Sequence, residues 1–173
     1  TLMKCTKLVS AKIDDIKYSV RKSKLGTIGD SITEGYSAED IASQGYSAII
    51  GKTLGTESFA VTNYGRTTTT AMYIASRVSD NKERQYRVYD STSKARYEAS
   101  LKADLDIITF ALGTNDSSSS TRWLENEVFI KDYIDLINEY KALDTKPQII
   151  ILTSVKRGDS ASGNSIVENN TIH

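Results

Sequence analysis

Four short apolar runs, each bounded by turn residues and separated by helical or polar stretches, constrain this chain more than any other feature. Leu25-Gly-Thr-Ile28 stops at Gly29-Asp30-Ser31. Ser58 to Asn63 stops at Tyr64-Gly65. Asp106 to Leu112 stops at Gly113-Thr-Asn-Asp116, and Gln148 to Thr153 follows Pro147. Continuous apolar runs of this length predict strands buried on both faces. Between the first two runs, Ile41, Tyr46, Ile49, Ile50 and Leu54 mark one face of a helix over residues 40–54, although Gly45 and Gly51 weaken it. Lys94 to Lys102 has helical composition. Trp123 to Leu143 predicts a long helix with Val128, Ile130, Tyr133, Ile134, Ile137 and Tyr140 on its apolar stripe. Ser79 to Ser93 is charged and aperiodic, and predicts a surface excursion.

Strands alternating with helices in this order predict a mostly parallel sheet with helices on both faces, a three-layer α/β/α sandwich. In such sheets ligands bind in the crevice outside the carboxyl ends of the strands. Ser31, Gly65 and Asn115 each lie just past a predicted strand. The topology therefore predicts that three residues far apart in sequence converge at one rim.

The length of 173 residues suits one domain. Residues 1–24 read as an irregular lead-in or the remnant of an upstream segment, and 25–173 as the domain. With 22 basic and 22 acidic residues the net charge is zero. That balance gives no reason to expect nucleic acid or an anionic membrane as a partner. No apolar stretch approaches the roughly 20 residues that span a bilayer. Cys5 is the single cysteine, so an internal disulfide is impossible. No His/Cys cluster suggests zinc, and no cofactor is expected. No signal peptide is visible, and because the chain begins at Thr1 rather than Met, a leader or upstream segment could precede it. Compartment and oligomeric state stay open. The sequons at Asn115 and Asn169 read as chance matches.

A serine hydroxyl becomes a nucleophile when a base takes its proton. A strand-to-helix turn can present it beside backbone N–H groups that hold a developing oxyanion. Gly29-Asp30-Ser31 suits that task. The Asn115 amide and the Gly65 N–H could be further donors. The same residues also have plainer readings. Ser31 could cap the next helix, Asn115 could form an Asx-turn, and Gly65 could serve a turn only. Asp116 reads as a structural hydrogen-bonding residue of its loop. Glu34 and Tyr36 could line a substrate mouth or simply sit on the surface, and Trp123 could stack on a sugar or cover the core. Gly51-Lys52-Thr53 lacks the preceding glycine spacing of a phosphate loop.

Ile28-Gly-Asp-Ser-Ile-Thr-Glu-Gly35 resembles the nucleophile block of the SGNH (GDSL-like) hydrolases. Asn63-Tyr-Gly65 resembles their second block and Gly113-Thr-Asn-Asp116 their third, in family order and each after a predicted strand. The resemblance implies a flavodoxin-like SGNH hydrolase fold and ester hydrolysis through an acyl-enzyme on Ser31. It implies an oxyanion hole built from the N–H groups of Ser31 and Gly65 and the Asn115 amide. The form of the first block is most similar to the carbohydrate acetylesterase branch, which implies a small acyl ester or acetylated carbohydrate as substrate.

The family's last block, Asp-x-x-His, has no match. The one histidine is His173, with Asn170 three positions before it. The stretch from Ser154 to His173 barely accommodates another helix and strand. The expectation is therefore that the domain is incomplete at its C-terminal end and lacks its catalytic histidine, so that this piece is inactive alone, poorly soluble or prone to associate. The alternative is His173 as base, with Asn170 in place of the carboxylate. An asparagine there orients an imidazole but stabilises the imidazolium poorly. A rival of another class is a non-catalytic carbohydrate- or ester-binding module on the same fold. A flavodoxin-like ligand-binding domain is a second.

Overall fold

The computed structural model describes residues 21–72, 91–118 and 125–154. Its centre is β1, Ser23–Gly29, whose residues from Leu25 to Gly29 are buried. β1 pairs on one side with β2, Phe59–Asn63, and on the other with β3, Ile107–Ala111. β4, Gln148–Ile151, pairs with the far side of β3. All three pairings are parallel and the order is β2-β1-β3-β4. The predicted parallel α/β sheet is thus present, with strand positions within about two residues of those read from the sequence.

Parallel strands need crossovers, and the helices supply them. α1, Ser31–Glu34, α2, Ile41–Gln44, and α3, Tyr46–Leu54, join β1 to β2. α4, Ser91–Leu101, precedes β3, and α5, Asn126–Lys141, joins β3 to β4. The single helix expected over residues 40–54 is in fact two, because the chain is extended at Gly45 (ψ 140°). A Cβ there would stand 2.9 Å from the Ile41 carbonyl oxygen.

The two sheet faces differ in chemistry. On one, Ile28, Ile108 and Phe110 pack with Phe129, Tyr133, Leu136 and Tyr140 of α5. Phe110 meets Tyr133 and Tyr140 edge-on, with ring centroids 6.3 and 5.2 Å apart. Each such pair adds about 0.5–1.5 kcal/mol beyond its buried area. On the other face Thr27 is bonded to Ser47 of α3, oxygen to oxygen at 2.5 Å. Helices therefore cover both faces, as the sequence predicts.

The stripe expected on the long helix is partly displaced. Phe129, Asp132, Tyr133, Leu136 and Tyr140 are buried, whereas Ile130 and Ile134 are about half exposed. The helix is apolar over more than one stripe, and its 130–134–137 row lies beside the edge strand β4 rather than over the centre of the sheet. That row, with Leu112 and Ile151, lines an apolar groove of about 180 Å³. No helix among the described residues is long and apolar enough to cross a membrane. The readings of Cys5, the greater part of the lead-in and of the 79–93 excursion, Trp123, Asn169, Asn170 and His173 lie outside the described residues.

Candidate active site

The rim at the carboxyl ends of β1, β2 and β3 is organised by registry. Thr27 lies opposite Asn63, and Gly29 opposite Ala111. The pairing of β1 with the β2 side continues past the strands: Tyr64 N–H donates to the Thr27 carbonyl at 2.8 Å and Arg66 N–H to the Gly29 carbonyl at 3.0 Å. Adjacent strands lie about 4.8 Å apart. The residues just after Gly29, Asn63 and Ala111 are consequently neighbours, so the segments carrying Ser31, Gly65 and Asn115 share one rim.

Ser31 is the first residue of α1, and Asp30 is the cap. Asp30 has extended backbone, and its carboxylate accepts the Ile32 N–H at 2.9 Å. The plainer reading of Ser31 as a capping residue therefore fails, since Asp30 fills that role. Ser31 is half-buried, and its hydroxyl has no hydrogen bond among the described residues. Gly29 makes this turn possible: a Cβ there would stand 2.0 Å from Thr33 Oγ1 and 2.6 Å from the Ala111 carbonyl oxygen.

Asp30 is 1% exposed. Burial pushes its carboxyl above the ordinary carboxylate range, against the opposing pull of the Ile32 N–H and the Thr114 hydroxyl. Its Oδ2 is buried with no hydrogen bond among the described residues.

Gly65 is pressed against α1. A Cβ there would meet Glu34 N at 2.5 Å and Thr33 Cβ at 2.6 Å. Its N–H donates to Asn63 Oδ1 at 2.8 Å, while Asn63 Nδ2 donates to the Thr33 carbonyl at 2.7 Å. One carboxamide thus clamps the second loop to the helix that begins with Ser31. An oxyanion can draw on the Gly65 N–H only in competition with Asn63. The turn that follows carries Thr68 at φ 66°, an uncommon conformation for a β-branched residue. Backbone strain of this kind concentrates at functional sites.

Asn115 Nδ2 donates to the Thr69 carbonyl at 2.9 Å, which orients the amide nitrogen toward this same turn. Asp116, fully buried, accepts the N–H groups of Ala71 and Met72 at 2.8 and 2.6 Å. It acts as the structural hydrogen-bonding residue the sequence suggested, and joins the third loop to the second.

Sequence reasoning missed the ionic part of the site. Glu34 is mostly withdrawn from solvent. Its carboxylate accepts from Thr67 N–H at 2.7 Å and Arg66 Nη1 at 3.1 Å, and Arg96 Nη2 of α4 stands 3.5 Å away. Arg96 also donates through Nη1 to the Gly65 carbonyl. No periodicity joins residues so distant in sequence, and only the acidic residue inside the first block hinted at it. Tyr36, by contrast, is 74% exposed. Among the described residues no group of His, Cys, Asp or Glu side chains is placed to hold a metal ion.

Residues 27–171 match the profile of the GDSL-like Lipase/Acylhydrolase family. A search among curated proteins returns no match. Similar solved structures include a two-domain esterase active on acetylated mannans, crystallised with mannopentaose. It has a TM-score of 0.52 and 21% identity over 82% of this chain and 33% of its own. A family two carbohydrate esterase from Clostridium thermocellum, in complex with cellohexaose, has a TM-score of 0.53 and 20% identity over 75% of this chain and 42% of its own. TesA has a TM-score of 0.52 and 19% identity over 75% of this chain and 59% of its own. At these identities the likeness establishes the fold alone. The chain spans less than two thirds of the length of each of these structures.

Proposed function

Because the chain belongs to the GDSL-like lipase/acylhydrolase family, we propose that it is a serine esterase for small acyl esters, with Ser31 as the attacking residue. One observation carries this reading. Ser31 stands at a strand-to-helix turn with its hydroxyl uncommitted among the described residues, and Asp30 takes the capping work that a serine there would otherwise do.

In the reaction the Ser31 oxygen attacks the ester carbonyl and its proton passes to a base. The alcohol leaves with a proton returned by that base, and water then releases the acid from the acyl-serine. The Ser31 N–H, the Asn115 amide and the Gly65 N–H are the donors we assign to the oxyanion. Losing one such donor typically costs about 10²–10³ in rate. A carboxamide nitrogen has two hydrogens, so the bond from Asn115 to Thr69 fixes the amide without exhausting its donor capacity. The Gly65 N–H is the least available of the three, given its bond to Asn63. The base is a histidine that the described residues do not include, and the sequence's one histidine, His173, lies outside them.

The fold's likeness to two carbohydrate esterases supports an O-acetyl group on a carbohydrate as the substrate class. The test is turnover of an acetyl-ester probe by the complete protein and by Ser31→Ala. Turnover is expected to vanish in the variant. Equal turnover in both would refute the reading and leave a binding module as the better account.

A further inference from the structure

The backbone ladder that holds the second loop beside β1 ends at the bond from Arg66 N–H to the Gly29 carbonyl. Beyond it, the helix that begins with Ser31 and the loop from Gly65 to Thr67 are held together by side chains. Glu34 stands three residues after Ser31. One of its oxygens accepts the Thr67 N–H at 2.7 Å, and the other accepts from Arg66 at 3.1 Å and faces Arg96 at 3.5 Å. Arg96 spends its second terminal nitrogen on the Gly65 carbonyl. It therefore bridges a side chain on the nucleophile's helix and a main-chain group of the neighbouring loop. The Glu34 side chain is 17% exposed and that of Arg96 35%, so solvent screens this pair less than a surface ion pair.

We infer that Glu34 and Arg96 are positioning residues for the hydrolysis, fixing the 65–67 loop at a set distance from Ser31 so that the Gly65 N–H, the one donor this loop offers to the carbonyl oxygen, is held in place. The inference rests on the assignment of Ser31 as nucleophile. Interactions aimed at the oxyanion matter in the transition state and little in the ground state. Loosening their support should therefore lower kcat and leave KM nearly unchanged. A displacement near 1 Å costs about 10² in rate. The bridge also depends on the guanidinium, which presents two donors in different directions, whereas an ammonium is a single point.

The experiment measures acetyl-ester hydrolysis by the complete protein in Glu34→Gln, Arg96→Lys and the double variant. Each single change is expected to lower kcat by about 10–10²-fold with KM within about twofold. The double variant should be no slower than the worse single, since both break one bridge. Glu98→Gln, which removes an exposed charge on the same helix from its pair with Lys94, should keep the parental kcat. Arg96→Lys keeps the charge on a partly exposed site, so it carries the test if Glu34→Gln does not fold. A parental kcat in Arg96→Lys, a change confined to KM, or losses that multiply in the double variant would overturn the positioning role. Ser31→Ala in the same assay separates the two claims. Retained turnover there sinks the nucleophile assignment, whereas a dead Ser31→Ala beside a fully active Arg96→Lys sinks the positioning role alone.

Discussion

Replacing Gly65 by alanine tests the closest approach in the site. The added methyl would stand 2.5 Å from Glu34 N and 2.6 Å from both Cβ and Cγ2 of Thr33. None of these atoms is the free end of a flexible chain. Thr33 is itself fully buried, with its hydroxyl accepting from the Tyr46 phenol at 3.0 Å. Restoring a contact of about 3.5 Å requires the loop to withdraw from α1 by roughly 1 Å. Overpacking of this kind costs about 1–3 kcal/mol. In a domain of this size that lowers Tm by roughly 2–12 °C. The same withdrawal moves the loop away from Ser31, and a misplacement of about 1 Å is worth about 10² in rate, or about 2.7 kcal/mol of barrier. The assay is a thermal melt together with kcat for an acetyl ester in the complete protein. A variant with parental Tm and parental kcat would refute the packing argument. One that melts early at full rate would refute the link between this packing and catalysis.

Asp116→Ala removes the acceptor of two buried N–H groups, those of Ala71 and Met72. At about 1–3 kcal/mol for each unsatisfied donor, denaturant titration should show a loss of roughly 2–6 kcal/mol. A loss below about 1 kcal/mol would mean that the two loops are held by other means. Asp30→Asn keeps an acceptor for the Ile32 N–H and removes a charge that burial disfavours. Because the folded-state pKa of Asp30 is raised above its ordinary 3.8, this group favours the folded state while protonated. Its contribution is present below that ordinary value and is lost as pH rises through the raised one. The variant should therefore show a flatter stability profile above pH 4 or so and no loss of stability at neutral pH. An unchanged slope across that window would contradict it.

Much of the fold was legible because its signals are local. Ile107 to Leu112 is apolar on both faces, and only a strand between two helical layers suits it. The rim residues were legible through topology, since the ends of parallel strands must meet. Periodicity failed where it was ambiguous. In α5 it selected Ile130 and Ile134 and passed over Phe129 and Leu136, because the helix is apolar over more than one stripe and sequence alone does not say which faces the sheet. Gly45 was seen as a weak point, but not that extended backbone there would divide the segment into two helices. The bridge from Glu34 to Arg96 was illegible for a different reason. Charged residues at such separation have no pattern until the strands bring them together. Asp116 lies between these cases: its role followed from its loop, while its partners at Ala71 and Met72 did not.

The most direct check is chemical interception of the nucleophile. The complete protein is treated with an aryl phosphonate that mimics the tetrahedral intermediate, digested, and read by peptide mass. A single adduct on the peptide containing Ser31, absent from Ser31→Ala, is the predicted result. An adduct elsewhere, or none while acetyl-ester turnover persists, would contradict the placement of the reacting oxygen at the end of β1.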